Sequence, residues 1–439
     1  LASLFILTGL LCFVHGRKLL PEAPRAGWLW IVLGLGSTGT LAVLSKETGA
    51  LLPLYALVIE LTLFRTTRLA AGQRRALVAL LSAPVVLIAG YIAFRWDALA
   101  TGFEFRPFTM SERLLTQPVV LVDYLKQVFV PQMSGLGIIH DDFPISTSLL
   151  HPPATLLSLI LIAGLLGLAI GLRKKKPIVA LGILWFFAGH SLEAGPLSLE
   201  IYFDHRNYLP LFGPLLAVCS LLPSLPGQLK RVAPVVIALF LCFEAFMTYQ
   251  SAKLWGNEDL MMQVALIDHP ASLRAQQHVA NRHVIAGRYE QALEVQLGIA
   301  ERFPDHSATR LGILNLRCLT GKLTPGQVDA TKAFLRRGAH DQQIIGYLMP
   351  LLNNAAGGRC PAFGLDEYQE TLDALLGNPV IGKDGKMRGA VSYFKGLALE
   401  KQGQLDAALK QLNVSYNAQP DLNIRLQQVV WLLGNGRPD

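Results

Sequence analysis

Charge is scarce in this chain: Asp, Glu, Lys and Arg make up 16% of 439 residues, against 52% hydrophobic residues. With a mean hydropathy of +0.39, that balance excludes an ordinary soluble enzyme of this length. Cysteine is rare too. Cys12, Cys219, Cys242, Cys318 and Cys360 stand at no spacing that would build a zinc site. Cys318 and Cys360 would pair in an oxidising compartment or sit as two small core residues. The N-terminus lacks a basic stretch and a small-residue cleavage site, so no signal peptide is read. The chain opens at Leu1 inside an apolar run and is expected to be a piece of a longer protein. The excess of 39 Lys and Arg over 31 Asp and Glu lies between apolar runs, as in the short cytoplasmic loops of membrane proteins, which argues against a nucleic-acid partner.

What is present is a set of long apolar runs confined to the first 250 residues. Runs of about 17–25 apolar residues mark spanning helices, and about eight candidates are read at 1–15, 27–45, 49–64, 76–94, 154–172, 177–191, 208–223 and 233–250. The connections GRKLLPEAPR (16–25), RTTRLAAGQRR (65–75), LRKKKP (172–177) and GQLKR (227–231) are basic and are therefore assigned to the cytoplasm. The turn Ser45–Thr48, the loops 95–153 and 190–207, and everything after 250 then face outward. Within the second run, Gly34-Leu35-Gly36-Ser37-Thr38-Gly39 formally matches a dinucleotide fingerprint. That fingerprint needs a preceding strand and a downstream acid on a second strand, which are lacking; close helix packing accounts for the glycines instead.

Beyond residue 250 the composition turns polar and alanine-rich. Residues 251–272 read as a juxtamembrane helix and 273–439 as a helical repeat domain. GRYEQAL (287–293) and GQLDAAL (403–409), each followed by a proline at 304 or 420, fall in the register of the tetratricopeptide unit. Further helical pairs such as 309–319 with 325–338 are expected between them, with a break around Asn353–Phe363. Stacks of such units bind partners.

The residual charge gathers in three outward segments. His190–Pro210 (HSLEAGPLSLEIYFDHRNYLP) places Glu193, Glu200, Asp204, His205 and Arg206 between two apolar runs, an expensive place for charge and so a functional candidate, the alternative being a loop whose Arg and His sit among lipid headgroups. Arg206 suits a phosphate in the headgroup plane, because its planar fork binds bidentately. Lys46 and Glu47 sit in the turn between the second and third runs, either as an interfacial pair or facing an outward cavity. In the long loop, Glu112–Phe129 is amphipathic and expected to lie on the membrane or dip into it, followed by Pro131, Gly135, Gly137 and His140-Asp141-Asp142. The paired aspartates beside His140 suit acid–base work or a divalent cation, and equally a cap on the next segment or a solvated loop; three adjacent ligands without a spaced fourth argue against a metal site.

Taken in order, LASLFILTGLLCFVHGR, LSKETGALLPLYALVIE, the ERLLTQ…Y…VP…HDDF loop, FDHRNYLPLFGPLL and the terminal repeats resemble the tetratricopeptide-bearing membrane glycosyltransferases of the GT-C class, the TMTC-type O-mannosyltransferases and their bacterial relatives. The resemblance implies an all-α fold, a polytopic transmembrane bundle followed by a TPR-like α-solenoid. It also implies a polyprenyl-phosphate-linked sugar as donor, no further cofactor, and a protein or glycan acceptor met through the repeats on the outer face. For a bacterial chain that means a multi-pass inner-membrane protein with a periplasmic repeat domain. On the matching positions, Lys46, His205 and Arg206 are expected to bind the donor phosphate, with Glu47, Asp141 and Asp142 as catalytic carboxylates. The family's first outward loop, with its acidic residue, would precede Leu1. The alternatives are a non-catalytic scaffold for envelope proteins and a polymerase or ligase of surface polysaccharide.

Overall fold

A computed structural model describes residues 1–65, 69–132, 139–339 and 341–437. The described chain is helical, and its sole β feature among those residues is an isolated bridge between His306 and Ala339. It divides into two compact units, Leu1–Phe103 with Pro107–Met261, and Met262–Asp439 with Glu104–Arg106.

The first unit contains α1 (Ala2–Leu19), α2 (Pro24–Ser45), α3 (Leu52–Thr62), α4 (Ala71–Phe94), α5 (Met110–Phe129), α6 (Ala154–Leu172), α7 (Pro177–His190), α8 (Phe212–Leu221) and α9 (Gly227–Trp255). Five of them, α1, α2, α4, α6 and α9, are long and apolar enough to cross a membrane. The other three expected spans form shorter helices of 11, 14 and 10 residues in α3, α7 and α8. Two of them, α3 and α8, are cut by local geometry that hydropathy ignores. Residues Glu47–Leu51 wind as a 3-10 turn before α3 and a 3-10 turn at Leu222–Ser224 follows α8, whereas α7 fills the expected 177–191 to within one residue. The most apolar windows of α4 and α9 are only 11% and 6% buried. Such continuous exposed apolar surface is tolerated by lipid and not by water.

Glycines let the bundle close. A Cβ on Gly213 would lie 2.3 Å from the carbonyl oxygen of Gly182, so α7 and α8 touch backbone to backbone. A Cβ on Gly34 would strike Cys12 at 2.3 Å, whereas one on Gly36 meets nothing within 4 Å. Close packing therefore explains the first glycine of the 34–39 run and not the second, and residues Gly34–Thr38 form a π-helical turn within α2. The core joins Ile6, Leu10 and Phe13 of α1 to Tyr55 and Ile59 of α3 and Trp185 of α7. Near the C-terminal ends of α1 and α3, Arg17 makes a bidentate pair with Glu60, Nε to Oε2 at 2.7 Å and Nη2 to Oε1 at 3.0 Å. Both residues are buried.

Helix α5 begins at a capping box between Thr109 and Glu112. Its Val120, Leu121 and Tyr124 share a core with Phe186, Ile201 and Tyr202. The amphipathic face expected to meet the membrane is thus covered by the 190–203 loop and α7. Periodicity reveals that a helix has an apolar face; it cannot say whether lipid or protein covers it.

A separate juxtamembrane helix over 251–272 is not observed. α9 continues to Trp255, and after Gly256 and Asn257 a new helix, α10 (Glu258–Asp268), contains the division between the units. The second unit then runs as hairpins: α11 (Leu273–Ile285) with α12 (Tyr289–Arg302), α13 (Ser307–Leu319) with α14 (Pro325–Leu335), α15 (Ile344–Ala356) with α16 (Leu365–Leu376), and α17 (Gly385–Lys401) with α18 (Leu405–Ala418), before a last helix α19 (Leu422–Gly434). The expected break starts at Gly357 instead of Asn353. Gly287 (φ 72°) and Gly403 (φ 76°) take the left-handed conformation that ends the first helix of their hairpins, which a side chain would disfavour. Cys318 and Cys360 are free thiols in one buried core. Burial and the neighbouring Cys360 push the Cys318 thiol up to about 12.

Candidate functional site

The charged loop closes over the C-terminal ends of α2 and α7. Lys46 leaves α2 with extended backbone (φ −164°, ψ 146°). The turn behind it is tight, since a Cβ on Gly49 would lie 2.2 Å from the Ala42 carbonyl carbon. Lys46 Nζ sits 3.0 Å from Glu193 Oε1, with side-chain exposures of 34% and 4%. A nearly buried carboxylate therefore holds a lysine that is still open to solvent. The ammonium has three donors, and one is used by Glu193.

Arg206 donates from Nη1 to the Glu200 carbonyl at 2.7 Å, and its guanidinium carbon lies 5.8 Å from the centre of the Phe203 ring. It occupies the short 3-10 turn Asp204–Asn207. The His205 ring in the same turn is 4.3 Å from that of Phe203. Its pKa is lowered, first by burial and next by the charge of Lys46, with Arg206 adding to the effect and Glu193 and Asp204 opposing it. His205 thus feels Lys46, Glu193, Asp204 and Arg206 together, so the three residues expected to bind phosphate share one electrostatic site.

The carboxylates divide differently. Glu47 begins the 3-10 turn after Lys46 and is exposed, with no hydrogen-bond or ionic partner among the described residues. Asp141 and Asp142 form the middle of a turn closed by the Phe143 amide to the His140 carbonyl at 3.2 Å. Their neighbour His140 reaches the site directly, with Nε2 3.0 Å from Asp204 Oδ2. Gly135 and Gly137 lie outside the described residues. Among the described residues, no group of three or more His, Cys, Asp or Glu is placed to hold a metal ion.

Aromatic residues floor the site. The His140 ring is 4.4 Å from that of Tyr202. The Tyr202 hydroxyl donates to Asp123 Oδ2 at 2.9 Å and accepts from Gln127 Nε2 at 2.8 Å. Burial and the Asp123 charge raise the Tyr202 pKa, so the phenol stays protonated. Tyr124 stacks on His190, whose Nε2 is 3.3 Å from Asn207 Oδ1.

Sequence reasoning counted His140 with Asp141 and Asp142 as three adjacent cation ligands, placed Glu193 and Asp204 in a charged segment without a role, and passed over Asp123. No local signal pairs Lys46 with a residue 147 positions away. The arrangement presents two cations, Lys46 and Arg206, and one half-exposed carboxylate, Asp204, on a desolvated aromatic floor. Chemically it can neutralise an anion and accept a proton beside it. Compared with known protein families and with curated proteins, the chain matches none.

Proposed function

We propose that the chain is a GT-C-type membrane glycosyltransferase that moves a sugar from a polyprenyl-phosphate donor to an acceptor hydroxyl on the outer face of the membrane. The observation that carries this reading is the convergence of Lys46, Glu193, His205, Arg206 and the His140–Asp204 pair at the shared ends of apolar helices. A lipid-linked phosphate is the anion most naturally delivered to such a place. In the proposed reaction the acceptor oxygen attacks the sugar C1 and the C1–O bond to phosphate breaks. The polyprenyl phosphate leaves with its charge met by Arg206 and Lys46, and the hydroxyl proton passes to a carboxylate, for which Asp204, Asp141, Asp142 and Glu47 are the candidates.

The reading includes eight spans, with α3, α7 and α8 crossing alongside the five longer helices. The alternation of basic and non-basic connections supports this arrangement. It also treats the hairpins of the second unit as tetratricopeptide-type repeats that engage the protein or glycan acceptor, supported by the glycine turns in GRYEQAL and GQLDAAL. A non-catalytic scaffold is the second reading, favoured by the exposed apolar stripe Leu422, Leu426, Val429, Val430 and Leu433 on α19.

The test is reconstitution of the full chain in liposomes with a polyprenyl-phosphate sugar, measuring release of polyprenyl phosphate. Wild type is expected to turn over and Arg206→Ala to lose at least tenfold in kcat/KM. Absence of both donor binding and turnover in the wild type would leave the scaffold.

A further inference from the structure

Among the buried groups of the first unit, Arg113 has the most unusual company. It is 0% exposed, and its guanidinium donates to four backbone carbonyls of one loop. Nη2 reaches Glu193 at 2.5 Å, Nε reaches Gly195 at 3.3 Å, and Nη1 reaches Leu199 and Glu200 at 2.7 Å each. The contact continues along one face of α5. Gln117 Nε2 donates to the Ile201 carbonyl at 2.9 Å, and the Tyr124 hydroxyl both donates to the Phe203 carbonyl and accepts from its amide, each at 2.9 Å. Loop residues 199–203 form no helix or strand, so their carbonyls take donors from α5 instead of from a regular backbone ladder.

Two of those carbonyls belong to the residues that set the proposed phosphate ligands. Glu193 gives its carbonyl to Arg113 and its carboxylate to Lys46. The Glu200 carbonyl accepts from Arg113 and Arg206 alike, 2.7 Å from each. We infer that Arg113 is the positioning residue of the donor-phosphate site, fixing Lys46 through Glu193 and Arg206 through Glu200, with Tyr124 as the second anchor of the same loop. This rests on the glycosyltransferase reading. A fork of five fixed donors can hold several diverging carbonyls at once; a lysine ammonium keeps the charge but has three donors on one atom.

The experiment compares wild type, Arg113→Lys, Tyr124→Phe, Arg206→Ala and the double variants carrying Arg206→Ala, in full-length protein. Donor and acceptor kinetics and amide exchange over 193–206 are the readouts. Arg113→Lys is expected to raise the donor KM about tenfold, the effect of losing one well-placed charged hydrogen bond, while acceptor KM stays unchanged. Tyr124→Phe keeps the ring on His190 and is expected to give a smaller shift in the same direction. In the Arg206→Ala background both shifts should shrink, since their route runs partly through Arg206; a merely structural role would leave them additive. Amide exchange over the loop should quicken in both single variants. If Arg113→Lys does not fold, Tyr124→Phe decides by the same criteria. Unchanged donor KM in an active enzyme, fully additive effects, or unchanged loop exchange would each overturn the proposal. An inactive wild type whose loop still loosens in Arg113→Lys would instead remove the glycosyltransferase reading, and the phosphate role with it, leaving Arg113 as a loop clamp.

Discussion

The Arg17–Glu60 pair allows the sharpest test of what holds the first unit together. The two side chains are 1% and 7% exposed, and the fork geometry is bidentate. Arg17 also lies over the Phe64 ring, 4.9 Å from its centre, while its Nη1 is buried without a hydrogen-bond partner. Replacing Glu60 by Gln removes the charge that offsets the guanidinium and leaves a buried cation. Breaking a buried pair in this way costs about 3–5 kcal/mol, or two to three and a half powers of ten in the folding equilibrium. The double variant Arg17→Met with Glu60→Leu removes both charges and fills similar volume, so it should fall near wild type or up to about 4 kcal/mol above it. Arg17→Lys should lie between wild type and Glu60→Gln, because a lysine cannot face both oxygens. Equilibrium unfolding in mixed micelles measures all four proteins. A Glu60→Gln variant within about 1 kcal/mol of wild type, the range of exposed pairs, would show that the pair is effectively solvated. A double variant as unstable as Glu60→Gln would show that side-chain shape matters there more than charge.

Two other outcomes are expected. Gly213→Ala should loosen the contact of α7 with α8, because its Cβ would stand 2.3 Å from the Gly182 carbonyl oxygen and backbone cannot yield as a flexible side chain does. A loss of about 1–3 kcal/mol in the same unfolding assay, as for other overpacked sites, is expected, and no loss would mean the helices separate freely. His205 has a lowered pKa, so it is neutral at pH 7 and gains its proton only as pH falls below the usual histidine value of about 6.5. Donor binding should therefore strengthen as pH falls through that region, when a third cation joins Lys46 and Arg206. His205→Gln should flatten the profile, and an identical slope in that variant would assign the titration elsewhere.

The features legible in the sequence are those that depend on neighbours in the chain. Apolar runs marked the five long helices and the short α7, and 3-10 geometry, which hydropathy does not weigh, shortened two further segments at Glu47–Leu51 and Leu222–Ser224. The glycines of GRYEQAL and GQLDAAL announced hairpin turns because a left-handed residue is a local requirement. Lys46, His205 and Arg206 were readable as candidates since charge beside apolar runs is costly wherever the chain folds.

Tertiary structure alone decided which charges meet. Arg17 and Glu60 are 43 residues apart, Lys46 and Glu193 147, and Arg113 stands 80–87 residues from the carbonyls it binds. Periodicity carries no information about such partners: Glu60 reads as one acid in an apolar helix and Arg113 as one charge on an amphipathic one. Their burial is tolerable only once a distant segment supplies the opposite charge or the carbonyls, and that supply exists only in the folded bundle.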